Sequence, residues 1–205
     1  MRNKAFIAVA VDRERINMLL ERLELKDQDK ALKKALKTTA EHARQRLADQ
    51  AQNAYTVKNA GFKKAMTIKA TSDYSLIHSE GEPLPLRSFK TSKGKTVTKA
   101  QVVKPGRLKP LQRGGIKAFV NNIAEKGSVR KRDTKKGVKG SKIRHIAVAQ
   151  REGSERLGIE EKYSNSIPVM LGSPKRVYGK VRSEIASDLQ TQIRMFVDQA
   201  LKEIS

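Results

Sequence analysis

Hydrophobic residues recur at two different periods along this chain, and the period changes from helical to strand-like near Met66. From about Asp29 to Tyr55, small and apolar residues follow one another at steps of three and four, as they do on one face of an α-helix. A segment of this length predicts a helix about 40 Å long. The face is rich in alanine, so its packing partner is expected to approach closely. The predicted inward positions are Leu32, Leu36, Thr39, Ala40, Ala43, Leu47, Ala51 and Ala54.

Further helices are predicted around this one. The opening AFIAVAV indicates a strand or a buried lead-in. A helix is predicted to follow it, with Asp12 as its N-cap and apolar positions up to Leu23. A short helix is predicted after the long one, capped by Thr56. A closing helix is predicted to begin at Ser173 and Pro174, because a capping residue followed by a first-turn proline is a typical helix start. Its apolar face comprises Val177, Val181, Ile185, Leu189, Ile193, Phe196, Ala200 and Ile204.

Between these helices, apolar and polar residues alternate, which predicts strands. The candidate strands are MTIKAT, YSLIHSE, LPLRSF, KTVTKAQVVK, IKAFVNNI and IRHIAVAQRE. Helices, then strands, then a helix indicate the α+β class, with long N- and C-terminal helices packed on a small, mostly antiparallel sheet. The 205 residues fit a single domain over 1–205, with a basic insertion at about 90–142.

The chain is strongly basic, and the charge is concentrated. Lys and Arg total 44 against 21 Asp and Glu, a formal charge of +23. The segment Arg87–Arg144 holds 19 Lys and Arg against Glu125 and Asp133, so it carries +17. Within it, Lys126–Lys142 has too little apolar surface to order itself, which predicts a mobile, self-repelling loop at the tip of a long hairpin. The candidate contacts with a polyanion or an acidic partner are Lys126, Arg130, Lys131, Arg132, Lys135, Lys136, Lys139 and Lys142.

This basic block predicts an anionic partner, either nucleic acid or the acidic face of a protein. Only Phe89 and Phe119 provide aromatic rings within it, and proteins that bind single strands by base stacking need more. Any contact with nucleic acid is therefore expected to be with phosphates rather than with bases.

Residues that carry catalysis or bind metals are scarce. The chain has no cysteine, and its three histidines, His42, His78 and His145, are far apart and lack the spacing of metal ligands. His42 is expected to be solvated on the long helix. We therefore predict no catalytic residues, no metal site, no cofactor and no enzymatic activity. No apolar stretch is long enough to span a membrane, so no membrane partner is expected.

One run of motifs resembles a known family. The long helix begins with Ala31-Leu32 and Ala35-Leu36 and leads to Tyr55; Lys64 and Met66-Thr67-Ile68 follow, and then an extended Pro85-Leu86 before Phe89. In this order the motifs resemble the minor tail protein Z family of tailed bacteriophages, also called tail completion proteins. The resemblance covers roughly Ala31–Phe89 and, more loosely, Ile143–Ser205. In place of the family's compact glycine-rich hairpin, this chain has a longer and more basic stretch from Lys90 to Lys142.

The resemblance implies a structural protein of the virion, assembled in the host cytoplasm. Such a protein forms a homo-oligomeric ring, taken here as a hexamer, at the head-proximal end of the tail, and takes part in tail completion and head-tail joining. The implied partners are identical subunits, neighbouring tail or head-tail connector proteins, and packaged double-stranded DNA. Candidate residues for packing between subunits are Leu32, Leu36, Ala43, Leu47, Val181, Ile185, Leu189, Ile193 and Phe196.

Two other functions stay open from the sequence. A basic protein that contacts the phosphates of ribosomal RNA or of DNA is the main alternative, because of the +23 charge. A nuclease is the weakest alternative, because the basic segment has only two carboxylates where a two-metal site needs several.

Overall fold

The computed structural model describes most of the chain, and the chain divides into two compact units. The residues described are 2–12, 14, 16, 20–21, 23–57, 61–92, 98–124, 144–153 and 159–204, with only the backbone described for 25, 121–124, 144–146 and 204. We call the first unit, Met1–Tyr55 with Asn59–Pro83 and Asn165–Ser205, the helix unit. The second, Thr56–Lys58 with Leu84–Ser164, is the strand unit. The assignment of a single domain to residues 1–205 stays a prediction.

The helix unit contains two long helices that pack against each other. Helix α1 spans Leu25–Ala54, α2 is a short helix over Ile167–Leu171, and α3 spans Tyr178–Ile204. The long helices are antiparallel, because His42 of α1 contacts Asp188 of α3, whereas Arg46, four residues later in α1, contacts Glu184, four residues earlier in α3. All eight positions of the inward face that the sequence assigns to α1 are buried, and five of them are alanine or threonine. Small side chains allow the close approach of these helices.

A three-stranded antiparallel sheet completes the helix unit. Strands β1 (Asn3–Ala10) and β2 (Met66–Ala70) lie on either side of β3 (Tyr74–Gly81). The register places Ile77 opposite both Ile7 and Ile68. Alternation of side chains along the strands produces a buried face that includes Ile7 and Ile77, and α1 contacts all three strands.

The strand unit is built from short antiparallel pairings. Its strands are β4 (Lys90–Ser92), β5 (Lys99–Gln101), β6 (Lys109–Pro110), β7 (Gln112–Arg113), β8 (Ile116–Lys117), β9 (Phe119–Ala124), β10 (Arg144–Arg151) and β11 (Ile159–Glu161). They form one sheet of order β4-β5-β6, a second of order β11-β10-β9, and the hairpin β7-β8. Ala147, Val148 and Ala149 of the central strand β10 are all buried, so this strand is covered on both faces.

The structure corrects three local predictions. LPLRSF is not a strand, because Leu86–Ser88 forms a 3-10 turn in which the Phe89 N–H donates to the Leu86 carbonyl at 3.1 Å. Thr56 does not cap a helix: its hydroxyl hydrogen-bonds within the strand unit, and residues 62–65 form a turn closed by the bond from Ala65 N–H to Gly61 O at 2.9 Å. The closing helix begins at Tyr178 rather than beside Pro174. Half of the helix predicted from Asp12, namely residues 13, 15, 17–19 and 22, lies outside the described residues.

Candidate polyanion-binding surface

The two units differ sharply in charge. By sequence, the strand unit holds 23 Lys and Arg against six Asp and Glu, a net charge of +17. The helix unit holds 21 against 15, a net charge of +6. Residues 84–124 contain ten Lys and Arg and no acidic residue. The strand unit is therefore the part of the chain that would attract an anion.

The eight residues predicted to contact a polyanion, Lys126, Arg130, Lys131, Arg132, Lys135, Lys136, Lys139 and Lys142, all lie outside the described residues. The two strands predicted to flank this run do pair with each other. The last pair in the register of β9 and β10 joins Ala124 to Arg144. The chain therefore leaves the sheet before the basic run and returns to it afterwards at neighbouring positions, about 5 Å apart.

The described residues present a second group of cations, on the sheet β4-β5-β6. Lys90 is opposite Gln101 and Ser92 is opposite Lys99 in the register, so these four side chains share one face. Lys90, Ser92 and Lys99 are exposed on it. The opposite face contains Ala100, which is buried. We call the exposed side of this sheet the lysine face.

Thr56 fixes the backbone beneath the lysine face. Its N–H donates to the carbonyl of Val102 at 3.0 Å, and its hydroxyl donates to the carbonyl of Gln101. The same hydroxyl oxygen accepts the N–H of Lys90 at 3.2 Å. One buried side chain thereby joins β4 to the end of β5, exactly where Lys90 and Gln101 pair.

Two more cations lie on the hairpin β7-β8. Its two-residue turn consists of Gly114 and Gly115, with φ of 56° and 78°. Glycine suits both positions because a two-residue turn of this kind needs positive φ twice. Arg113 and Lys117 are exposed on either side of the turn. Their side chains point to opposite faces, since Arg113 pairs with Ile116 and Lys117 with Gln112.

The residues predicted to pack between subunits lie in the helix unit, and most are buried within the single chain. Leu32, Leu36, Ala43 and Leu47 of α1 have no exposed surface, and Val181, Ile185, Leu189 and Ile193 of α3 are also buried. Phe196 is half-buried and lines a small cavity with Ala31 and Ala200. In this conformation these side chains contact the chain's own helices, and their role between subunits stays a prediction.

His42 lies in a polar cluster that the sequence does not indicate. Its Nδ1 is 2.9 Å from a carboxylate oxygen of Asp188, which also lies 3.5 Å from Nη1 of Arg46. Among the described residues, no group of three or more His, Asp or Glu side chains is placed to hold a metal ion. None of the helices in the described part of the chain has an apolar stretch that could cross a bilayer.

Comparison with protein-family models, with curated proteins and with solved structures found no match for this chain. Neither the lysine face nor the role of Thr56 beneath it was predicted from the sequence. The signal for the lysine face is present in the sequence, because Lys90 and Ser92 flank Thr91, and Lys99 and Gln101 flank Ala100.

Proposed function

We propose that this chain is a structural protein of a tailed bacteriophage virion, of the tail completion type. It forms a homo-oligomeric ring, taken as six copies, at the head-proximal end of the tail and joins the tail to the head. It is assembled in the host cytoplasm, contacts connector or tail proteins, and acts without a cofactor or a catalytic site.

The observation that carries the proposal is the ordered run of motifs from Ala31 to Phe89. Burial of several of these positions in the structure supports the proposal. Leu32 and Leu36 lie on the buried face of α1, Tyr55 is 2% exposed just after that helix, and Phe89 is fully buried in the strand unit. Most of the apolar motif positions thus lie in the packed interior, whereas Lys64 and Thr67 are exposed. Burial of the apolar positions is expected when a resemblance reflects a shared fold rather than a shared catalytic site.

The sheet of the helix unit supports a contact between copies. On its outer face the register places Phe6 beside His78, Ala8 beside Leu76 and Ala10 beside Tyr74. Phe6, Ala8, Ala10 and Tyr74 are exposed, and Leu76 and His78 are half-buried. Phe6 is 60% exposed and stacks on the His78 ring, with their centroids 4.8 Å apart. Exposed apolar residues that adjoin one another are typical of surfaces that meet another protein.

The finer architecture belongs to the same proposal. It comprises long N- and C-terminal helices packed on a small, mostly antiparallel sheet, with a long basic hairpin or loop at about 90–142. In a ring, several such hairpins would face a common anionic partner, either packaged DNA in the lumen or the acidic face of an adjoining protein ring.

A second function is favoured by a different observation. Residues 84–124 hold no acidic residue, which is the charge distribution of a protein that contacts nucleic acid phosphates. On this alternative the chain is a nucleic-acid-binding protein, associated with DNA or the ribosome, and forms no ring.

Native mass spectrometry and cryo-electron microscopy of phage tails separate the two functions. A hexamer of 22.9 kDa subunits weighs about 137 kDa, and the proposal expects this species at high protein concentration. It also expects the chain at the head-proximal end of assembled tails. A protein that stays monomeric at every concentration and is missing from purified particles would refute the proposed function.

A further inference from the structure

We propose that the lysine face of the strand unit binds the phosphate backbone of double-stranded DNA. The inference deepens the proposed function, because it assigns a partner to the basic unit and does so through residues other than the predicted basic run. Three observations carry it: the composition of the face, the spacing of its lysines and the rigid backbone that supports them.

The composition of the face fits nucleic acid better than a protein partner. Lys90, Ser92 and Lys99 are exposed, and β4, β5 and β6 include neither an acidic nor an aromatic residue. The centres of protein interfaces are enriched in aromatic residues and depleted of lysine and serine. Lysine and serine are, in contrast, frequent donors to phosphate oxygens.

The face also favours duplex DNA over a single strand. Proteins that hold single strands without sequence preference stack the bases on aromatic side chains. The nearest aromatic residue in sequence is Phe89, which is fully buried and cannot offer its ring to a base. Duplex DNA presents phosphates at about one charge per 1.7 Å of its axis, so it rewards a purely cationic surface most strongly.

The spacing of the lysines suits a phosphate backbone. Lys90 lies opposite Gln101, and Lys99 lies opposite Ser92. The two lysines are therefore diagonal neighbours on adjacent strands. Such neighbours are about 7–8 Å apart, so the two ammonium groups can contact different phosphates of one backbone instead of competing for the same one. Neither lysine has an ion-pair partner in the described part of the chain. Their charges are therefore available to an external anion.

The backbone beneath the lysines is fixed before binding. Thr56 holds the N–H of Lys90 and the carbonyl of Gln101, so the two strands keep their separation in the free protein. Only the side chains of the lysines have to become ordered when DNA binds. A surface prepared in this way loses less entropy on binding than a flexible segment does.

The test compares two double variants of the full-length protein. Lys90→Gln with Lys99→Gln removes the two charges of the lysine face. Lys33→Gln with Lys37→Gln removes two exposed charges from α1 of the helix unit. The two double variants therefore have the same net charge as each other. Binding to a fluorescent DNA duplex is measured by anisotropy between about 50 and 200 mM salt, the range in which phosphate contacts change affinity most clearly.

The lysine-face variant is expected to bind up to about 30-fold more weakly at 0.15 M salt, with a salt slope smaller by about 1.8, because each phosphate contact contributes about 0.9. The α1 variant is expected to bind as the unchanged protein does. Equal losses in both variants would mean that only net charge matters, and would overturn the proposal. Thermal melting of both variants shows that they remain folded.

Two competitors identify the partner. Each competitor is added at a known concentration of negative charge. An unlabelled duplex is expected to displace the probe at a far lower charge concentration than either single-stranded DNA or poly-glutamate. Displacement by poly-glutamate as effective as by duplex would point to an acidic protein and overturn the inference. Stronger displacement by the single strand would overturn it as well.

These results are independent of the test of the ring. If the protein forms rings and enters particles but the lysine-face variant binds DNA normally, the inference is wrong and the proposed function stands. If the lysine-face variant loses DNA binding while the protein forms no ring, the inference stands and the proposed function is wrong.

Discussion

Replacing Gly179 with alanine places two physical effects in opposition, and the structure indicates which of them is larger. Gly179 is the second residue of α3. Alanine is the best helix former, and Gly→Ala inside a helix usually stabilises a protein by up to about 1 kcal/mol. Here, however, a Cβ on Gly179 would lie 1.8 Å from the carbonyl oxygen of Pro174. That is far inside the roughly 3.5 Å at which carbon and its neighbours are in favourable contact.

The turn before α3 has little freedom to relieve this overlap. The obstructing atom belongs to the backbone, so no side chain can rotate away. The N–H of Val177 donates to the carbonyl of Ser173 at 3.0 Å, and Val181 donates to Val177 at 3.3 Å. Val177 is fully buried and Val181 nearly so. A shift of more than 1 Å in this turn would therefore displace side chains from the core of the helix unit.

The expected cost follows from these two effects. Adding a methyl group to a tightly packed site costs about 1–3 kcal/mol, and we take the upper value because the obstructing atom is in the backbone. Subtracting about 1 kcal/mol for the helix preference of alanine leaves a net destabilisation of about 2 kcal/mol. For a chain of this size, such a loss lowers the melting temperature by about 4–8 °C.

Urea denaturation followed by far-ultraviolet circular dichroism measures this change in the free energy of unfolding. Gly61→Ala is the matched control, because among the described residues a Cβ there meets Lys64 side-chain atoms alone, the nearest at 3.6 Å. The control is expected to stay within about 0.5 kcal/mol of the unchanged protein. A Gly179→Ala variant as stable as the unchanged protein would refute the steric argument and the position of this turn.

For two further residues, Thr56 and Asp188, the structure decides whether a substitution lowers stability. Thr56→Val keeps the shape of the side chain but leaves the Lys90 N–H without its Thr56 acceptor. We expect urea denaturation to show a free energy of unfolding lower by about 1–3 kcal/mol. An unchanged free energy would contradict the role of Thr56 as the anchor of β4 and β5. Asp188→Ala removes an 11%-exposed carboxylate that meets His42 and Arg46, and should cost about 1.5 kcal/mol, whereas Glu184→Ala, at 62% exposure, should cost less than about 0.5 kcal/mol. Equal effects of these two substitutions on the melting temperature would contradict the distinction drawn from burial.

The α+β class and the inward face of α1 could be predicted because both depend on local periodicity. A face that repeats at steps of three and four over 30 residues is readable without knowledge of its partner. The pairing of β9 with β10 was predictable for a similar reason, since both strands are long and flank a polar run. The strands β4 to β8 have only two or three residues each, which is too short for any period to emerge.

The contacts that define the candidate site depend on residues far apart in the chain. Thr56 meets Lys90, 34 residues later, and its role as an anchor leaves no trace in the residues around it. His42 and Asp188 are separated by 146 residues, so the sequence indicated only a solvated histidine. Pro83 and Pro85 favour an extended backbone, which makes LPLRSF resemble a strand, but they place no restriction on Leu86–Ser88, where the chain forms the 3-10 turn.

The division of charge between the two units restricts how the proposed ring can assemble. Six copies that met through the strand unit would bring surfaces of +17 together, and screening at physiological salt acts only beyond about 8 Å. Contacts through the helix unit, with its +6 and its exposed apolar sheet face, avoid most of that repulsion. If the proposed ring forms and the proposed lysine face binds DNA, we expect the bound phosphates to weaken the repulsion between the strand units of different subunits and so to favour assembly.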